Sequence, residues 1–322
     1  MPYLLAMLLA ALAAGIATPV LRTVARQFGV IDAPSPRVAH KIHTTPTPLL
    51  GGAGVYAAVL FTVLVSPQHG HAGVLALMVP ATLMLGLGAA HDVRPLRLWL
   101  RLAAQAAIII LAVSLGLRAH AFGPLWLNVA VSLVWLAALT NAFNMLDNLD
   151  GLAPGAALLA ALVLFYGGIA AGDDFIAALA AIAAGACLGF IGFSAHPASI
   201  FLGDGGALFL GFMVGGVCLL GPWSAAPGPA YWVLPLLACA LPILNGFVEL
   251  GRVPGGLTHA QLRRGYRLTT NLSLQYGVGL VGALAAGAAL ALPGWLALVP
   301  FFLAVAALAL YTRFVLKEAA GE

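Results

Sequence analysis

Residues 123–171 read GPLWLNVAVSLVWLAALTNAFNMLDNLDGLAPGAALLAALVLFYGGIAA. Two apolar stretches, 123–142 and 152–171, flank a polar run from Asn141 to Pro154. About 20 apolar residues suffice for a helix to cross a hydrocarbon core of about 30 Å. The run between them carries Asn141, Asn144, Asp147, Asn148 and Asp150, too many polar groups to face lipid all round. Such a segment must line a polar cavity or leave the membrane. The stretch therefore reads as two membrane helices joined by a polar turn.

The same reading extends along the chain. Further apolar stretches lie near 3–21, 49–66, 73–90, 98–116, 175–193, 206–221, 231–248, 275–292 and 294–312. The expectation is an all-α, polytopic membrane protein of about eleven transmembrane helices, as one membrane domain over 1–322. Of the 322 residues 62% are hydrophobic and 7% charged, against about 25% charged in a soluble domain. A water-soluble fold is thereby excluded.

Short loops that carry Lys and Arg stay in the cytosol. With the N-terminus outside and the C-terminus cytosolic, thirteen of the fourteen basic residues fall on the inner side, Arg118 being the exception. The net charge of +4 thus describes topology and attraction to anionic lipid or phosphate, not to nucleic acid. Met1-Pro2-Tyr3 offers no basic region before the first apolar stretch, so a retained first helix is expected. Cys187, Cys218 and Cys239 all fall in apolar stretches and read as small packing residues. The run Ala177 to Ala186 suits close helix contact in lipid.

Asp32, Asp92, Asp147, Asp150 and Asp204 all map to the expected cytosolic side. Carboxylates beside a bilayer are costly unless hydrated, paired or bound to a cation. Asn144, Asp147 and Asp150 follow at i,i+3 and can share one ligand, although Asp150 could instead cap a helix. Gly203-Asp204-Gly205-Gly206 opens a span, where exposed amides and the helix dipole favour phosphate, and Asp204 could hold Mg²⁺ there. His91-Asp92-Val-Arg94-Pro-Leu-Arg97 and Lys41-Ile-His43, with Gly51-Gly52 beyond, join cations to groups that can touch a phosphate or its metal.

In this order the motifs resemble the polyprenyl-phosphate N-acetylhexosamine-1-phosphate transferases, over residues 30–270. The Asn-Ala-Phe-Asn opening at Asn141 is more similar to the O-antigen and teichoic-acid initiators than to the peptidoglycan branch. The resemblance implies a bacterial inner-membrane enzyme with a cytosolic site. It would move a sugar-1-phosphate from a UDP-N-acetylhexosamine to undecaprenyl phosphate, release UMP, and depend on Mg²⁺, with Mn²⁺ as a substitute. A homodimer is compatible with it.

By matched position, Asp204 and Asp92 would serve the metal, and Asp92, His91, Asp147 and Asp150 the reaction. Lys41, His43, Asn141, Asn144, Gly203, His259, Arg263 and Arg264 would bind substrate. The chain departs from the family pattern in three places. His91 stands where the family has Asp, Asn148 where it has Gly, and of a His-x-His-His element only His259 and the following Arg pair remain. The alternative reading of those departures is a non-catalytic member that binds lipid phosphate or nucleotide-sugar in an assembly.

Overall fold

The computed structural model describes residues 2–33, 46–223, 228–251 and 256–319. Lys41 and His43 lie outside them. The described chain forms thirteen α-helices: α1 (Pro2–Gln27), α2 (Gly51–Val65), α3 (Ala72–Val93), α4 (Leu98–Ser114), α5 (Leu125–Leu146), α6 (Leu152–Ala171), α7 (Asp174–Ser194), α8 (Gly203–Leu220), α9 (Ala230–Ala238), α10 (Ala240–Leu250), α11 (Gly256–Arg263), α12 (Leu268–Ala291) and α13 (Val299–Ala319). A two-residue antiparallel ladder, β1 (Ile31–Asp32) with β2 (Thr47–Pro48), pairs Ile31 with Pro48 and Asp32 with Thr47.

Every expected apolar stretch is helical. Among the described residues eight helical segments are long and apolar enough to cross a membrane; α9 with α10 makes a ninth, bent span, and α2 and α4 are shorter apolar helices. The chain is an all-α, multi-pass membrane protein.

Two local features differ from the sequence expectation. The stretch 231–248 is not one helix but two, α9 and α10, which meet at 63°. Pro242 lacks the N–H that would bond the carbonyl of Ala238, and its ring crowds that carbonyl, so the helix breaks at Cys239. The loop 249–274 contains the short helix α11, and α12 begins before the expected apolar stretch. A chain of buried amides holds α11. Asn245 Nδ2 donates to Gln275 Oε1 at 2.9 Å, Gln275 Nε2 to Gln261 Oε1 at 3.0 Å, and Gln261 Nε2 to the Tyr311 hydroxyl.

The helices are arranged by how much apolar surface each turns inward. In α8, 89% of the apolar window is buried, against 11% around α13, so α8 is the central post and α13 lines the periphery. Helices α2, α3, α5, α6 and α7 pack around α8. Small residues set the closest approach, as expected where lipid removes the hydrophobic drive between helices. A Cβ on Gly185 of α7 would lie 2.0 Å from the Met7 carbonyl oxygen of α1, and one on Gly189 2.1 Å from that of Ala11. The two backbones touch at glycines one turn apart.

Gly185→Ala and Gly189→Ala should each lower stability by about 1–3 kcal/mol through overpacking. Gly192→Ala, whose Cβ meets nothing within 4 Å, should be neutral or stabilising, since Ala is the better helix former. Thermal melts in detergent check this; three equal melting temperatures would contradict the α1–α7 contact.

Candidate active site

The polar ends of α3, α5 and α8 and the turn before α6 meet around one cleft of about 690 Å³. Its lining includes Asp32, His91, Asp92, Asn144, Asp147, Asp150, His196, Gly203 and Asp204. The cleft begins at the first turn of α8, whose free amides need acceptors. Leu202 precedes that helix and supplies no side-chain cap. Asp92 supplies one from the last turn of α3: its Oδ1 accepts from the Asp204 N–H at 3.0 Å and its Oδ2 from the Gly205 N–H at 3.2 Å. The sequence reading offered those amides to a substrate phosphate. In the structure they hold a carboxylate of the chain itself.

Glycine makes this cap possible. Gly203 has φ +76°, and a Cβ there would lie 2.8 Å from Asp92 Oδ2 and 2.6 Å from the Leu49 carbonyl. The start of α2 runs alongside, with Gly51 N–H donating to Phe201 O at 3.0 Å and Gly52 N–H to Leu202 O at 2.8 Å. Gly51-Gly52, expected beside the phosphate, is thus a packing element against α8.

Asp204 points from that turn into a set of polar partners. Asn144 Nδ2 of α5 donates to Asp204 Oδ1 at 2.7 Å. His91 Nε2 and Arg101 Nη1 stand 3.5 and 3.6 Å from Oδ2. Arg101 Nη2 also donates to Asn144 Oδ1 at 3.3 Å, which fixes which way the amide faces. Leu96 N–H donates to His91 Nδ1 at 2.9 Å. That nitrogen must therefore carry the lone pair, and Nε2, facing Asp204, carries the proton.

Asp147 and Asp150 differ although only three residues separate them. Asp150 Oδ2 accepts from His196 Nδ1 at 2.8 Å and from the Ala198 N–H at 3.1 Å, anchoring the segment between α7 and α8. Asp147 accepts no hydrogen bond from any described residue and faces the cleft. Burial, and then the charges of Asp204, Asp92 and Asp150, push its carboxyl well above the usual carboxylate range.

Several expected substrate residues stand elsewhere. Asn141 lies away from the cleft lining, donating to Gln105 Oε1 of α4 at 3.2 Å and to the Ala137 carbonyl at 2.8 Å. His259, Arg263 and Arg264 belong to α11 and its end and do not line the cleft. Arg264 Nη2 donates to the Phe314 carbonyl at 3.2 Å, and its guanidinium lies 5.0 Å from the Phe314 ring. Asn148 does line the cleft, and its Nδ2 donates to Thr258 Oγ1 of α11 at 2.9 Å.

Arg101 and His196 are the residues that sequence reasoning missed. Arg101 was counted only as a topological charge. Its spacing four residues before Gln105, on an otherwise apolar stretch, is the available signal. His196 has no pattern around it that marks it.

The raised Asp147 means that the native state holds a proton the unfolded chain has lost above about pH 4. Without metal, stability should therefore fall as pH rises through the raised value, and Asp147→Asn should flatten that slope without loss of fold. Asp92→Asn leaves an α8 amide without an acceptor and should cost about 1–3 kcal/mol. Melts in chelator across pH test the first, and an Asp92→Asn melting temperature equal to that of the wild type would contradict the cap.

The helices that build this cleft fall within the part of the chain that matches known proteins. Residues 74–221, from α3 to the end of α8, match the model of glycosyl transferase family 4. Over 239 residues the chain is 30% identical to the Bacillus subtilis protein named "Probable undecaprenyl-phosphate N-acetylglucosaminyl 1-phosphate transferase", covering 71% of this chain and 66% of that one. Over 268 residues it is 31% identical to the decaprenyl-phosphate N-acetylglucosaminephosphotransferase of Mycolicibacterium smegmatis, covering 74% of this chain and 64% of that one. A shorter match, 44% over 87 residues, joins 26% of this chain to 27% of the phospho-N-acetylmuramoyl-pentapeptide-transferase of Clostridioides difficile. The chain thus spans about two thirds of the length of the first two relatives. The matched segment supplies Asp92, Asn144, Asp147 and Asp204 to a single cleft, and the chain belongs to glycosyl transferase family 4.

Proposed function

We propose that this protein transfers an N-acetylhexosamine-1-phosphate from a UDP-sugar to undecaprenyl phosphate on the cytosolic face of a bacterial inner membrane, releasing UMP. The observation that carries this is the convergence of carboxylates from three helices with Arg101 and His91 at one polar end of a membrane helix body. The relatives' names, which pair a prenyl phosphate with N-acetylglucosamine phosphate, support it.

In the reaction an oxygen of the lipid phosphate forms a bond to the sugar-proximal phosphorus. The bond from that phosphorus to the bridging oxygen breaks, and UMP leaves with the electron pair. Such a transfer needs positioning and charge neutralisation more than covalent help from the protein. A lipid phosphate monoester has a second pKa of about 6 and is mostly dianionic at neutral pH, so no dedicated base is required. Arg101 supplies a fixed positive charge, and Asn144 holds it against Asp204. With its Nδ1 lone pair engaged by Leu96, His91 serves as a neutral hydrogen-bond donor through Nε2 and not as the base.

The donor set suits a hard divalent cation. Among the described residues no three His, Cys, Asp or Glu side chains converge as a ready-made cage, but Mg²⁺ commonly takes one or two carboxylates and completes its shell with phosphate oxygens and water. Asp204 and Asp147 line the cleft and are the side chains that would hold it, while Asp92 accepts the α8 amides and keeps a second lone pair on each oxygen. Bound there, Mg²⁺ would neutralise phosphate charge. Asp92 then acts by fixing the first turn of α8, which carries Asp204.

The test is UMP release by purified protein supplied with undecaprenyl phosphate, Mg²⁺ and a panel of UDP-sugars. Release should require lipid and metal and fall by at least about 10²-fold in Asp204→Asn. His91→Gln, which keeps a donor, should retain most turnover, whereas His91→Ala should lose about tenfold. No release from any donor would overturn the transferase reading in favour of a binding role.

A further inference from the structure

Among the described residues two histidines line the cleft, and their surroundings put the proton on opposite ring nitrogens. His91 receives a backbone N–H on Nδ1 and so presents Nε2–H. His196 sits at the Asp150 side of the cleft, where its Nδ1 lies 2.8 Å from Asp150 Oδ2. That carboxylate oxygen accepts the Ala198 N–H as well, so the whole contact is acceptor-like and the proton of His196 belongs on Nδ1. The side chain is 41% exposed, and Nε2 bonds no described residue. The cleft therefore contains one imidazole that donates and one that accepts.

A second group lies beside His196. Ser194, the last residue of α7, is 3% exposed and lines the same cleft, and its Oγ has no hydrogen-bond partner among the described residues. A buried hydroxyl left unpaired is costly unless a ligand completes it.

We infer that His196 is a specificity-determining residue of this cleft, its Nε2 lone pair accepting a hydrogen bond from an N–H group of the nucleotide-sugar, with Ser194 Oγ completing the contact. The class of ligand follows from the chemistry. An acceptor fixed by a carboxylate selects a donor on the ligand, and it repels a phosphate oxygen or a ring nitrogen with a lone pair. Besides its ribose and sugar hydroxyls, a UDP-N-acetylhexosamine carries two N–H donors, the imide N–H of the uracil and the N–H of the acetamido group, and His196 is assigned one of these two. Rejection of ligands lacking the group is strong because the protein's own acceptor is then left unpaired. The inference rests on the transferase reading for its ligand, but not for its measurement.

His196→Asn is the informative variant, because its Nδ2–H can still reach Asp150 and hold the segment, while the Nε2 acceptor is gone. UDP-N-acetylglucosamine binding to the full-length protein should weaken about tenfold at an unchanged melting temperature. Two analogues separate the sources: N3-methyl-uracil removes the imide N–H, and UDP-glucose removes the acetamido group. The analogue that binds wild type and His196→Asn equally identifies the partner of His196. Equal binding of the parent ligand by both proteins overturns the inference, as does an equal loss for the parent and both analogues. ¹⁵N shifts of labelled histidine provide a readout without ligand: the expected state is Nδ1–H at His196 and Nε2–H at His91, and Nε2–H at His196 overturns the inference. Binding without UMP release would sink the transferase reading and leave the role of His196 standing. Failure to bind any nucleotide-sugar would overturn both.

Discussion

The pair of hydrogen bonds from the α8 amides to Asp92 is the contact on which the site depends. A helix N-terminus packed among other helices has free amides, and each must find an acceptor. Here the acceptor is a carboxylate from another helix, so α3 and α8 are fixed to each other at the point where the chemistry is placed. The negative charge also suits the positive end of the helix dipole. Because the bond crosses between helices, it sets the height of Asp204 relative to His91 and Arg101. The glycines at 52, 88, 205 and 206 let the backbones come close enough for it to form.

From that anchor the cleft divides into two sides. On one, Asp204, Asn144, Arg101 and His91 make a compact group in which every orientation is determined by a partner. On the other, Asp150 Oδ2 is engaged by His196 and the Ala198 amide, and this carboxylate serves the wall. Asp147 lies between them with open lone pairs, and the crowding that raises its carboxyl is relieved by a cation or a proton. Neighbouring carboxylates of one motif thus have unlike tasks, decided by which of them finds a hydrogen-bond donor.

The departures from the family pattern acquire physical content in this setting. His91 points at Asp204 as a donor, so the replacement of a carboxylate exchanges an acceptor for a proton-bearing group and lowers the negative charge at that end. Asn148, in place of glycine, ties the cleft turn to α11 through Thr258. The reduced histidine element sits on α11, whose buried amide chain to α10, α12 and α13 is structural.

Sequence alone determined the all-helical membrane body, because burial in lipid leaves only helices able to satisfy their own backbone, and apolar length reports that constraint directly. It also located the acidic motifs, since charge beside a bilayer is conspicuous wherever it falls. The break at Cys239 was latent in Pro242, but apolar length is blind to it. Only the tertiary structure decided which oxygen of which Asp is free, that Asn141 faces α4 and not the cleft, and that Arg101 and His196 belong to the site. Those outcomes depend on contacts between residues 36 to 113 positions apart. No local pattern encodes a partner that arrives from another helix.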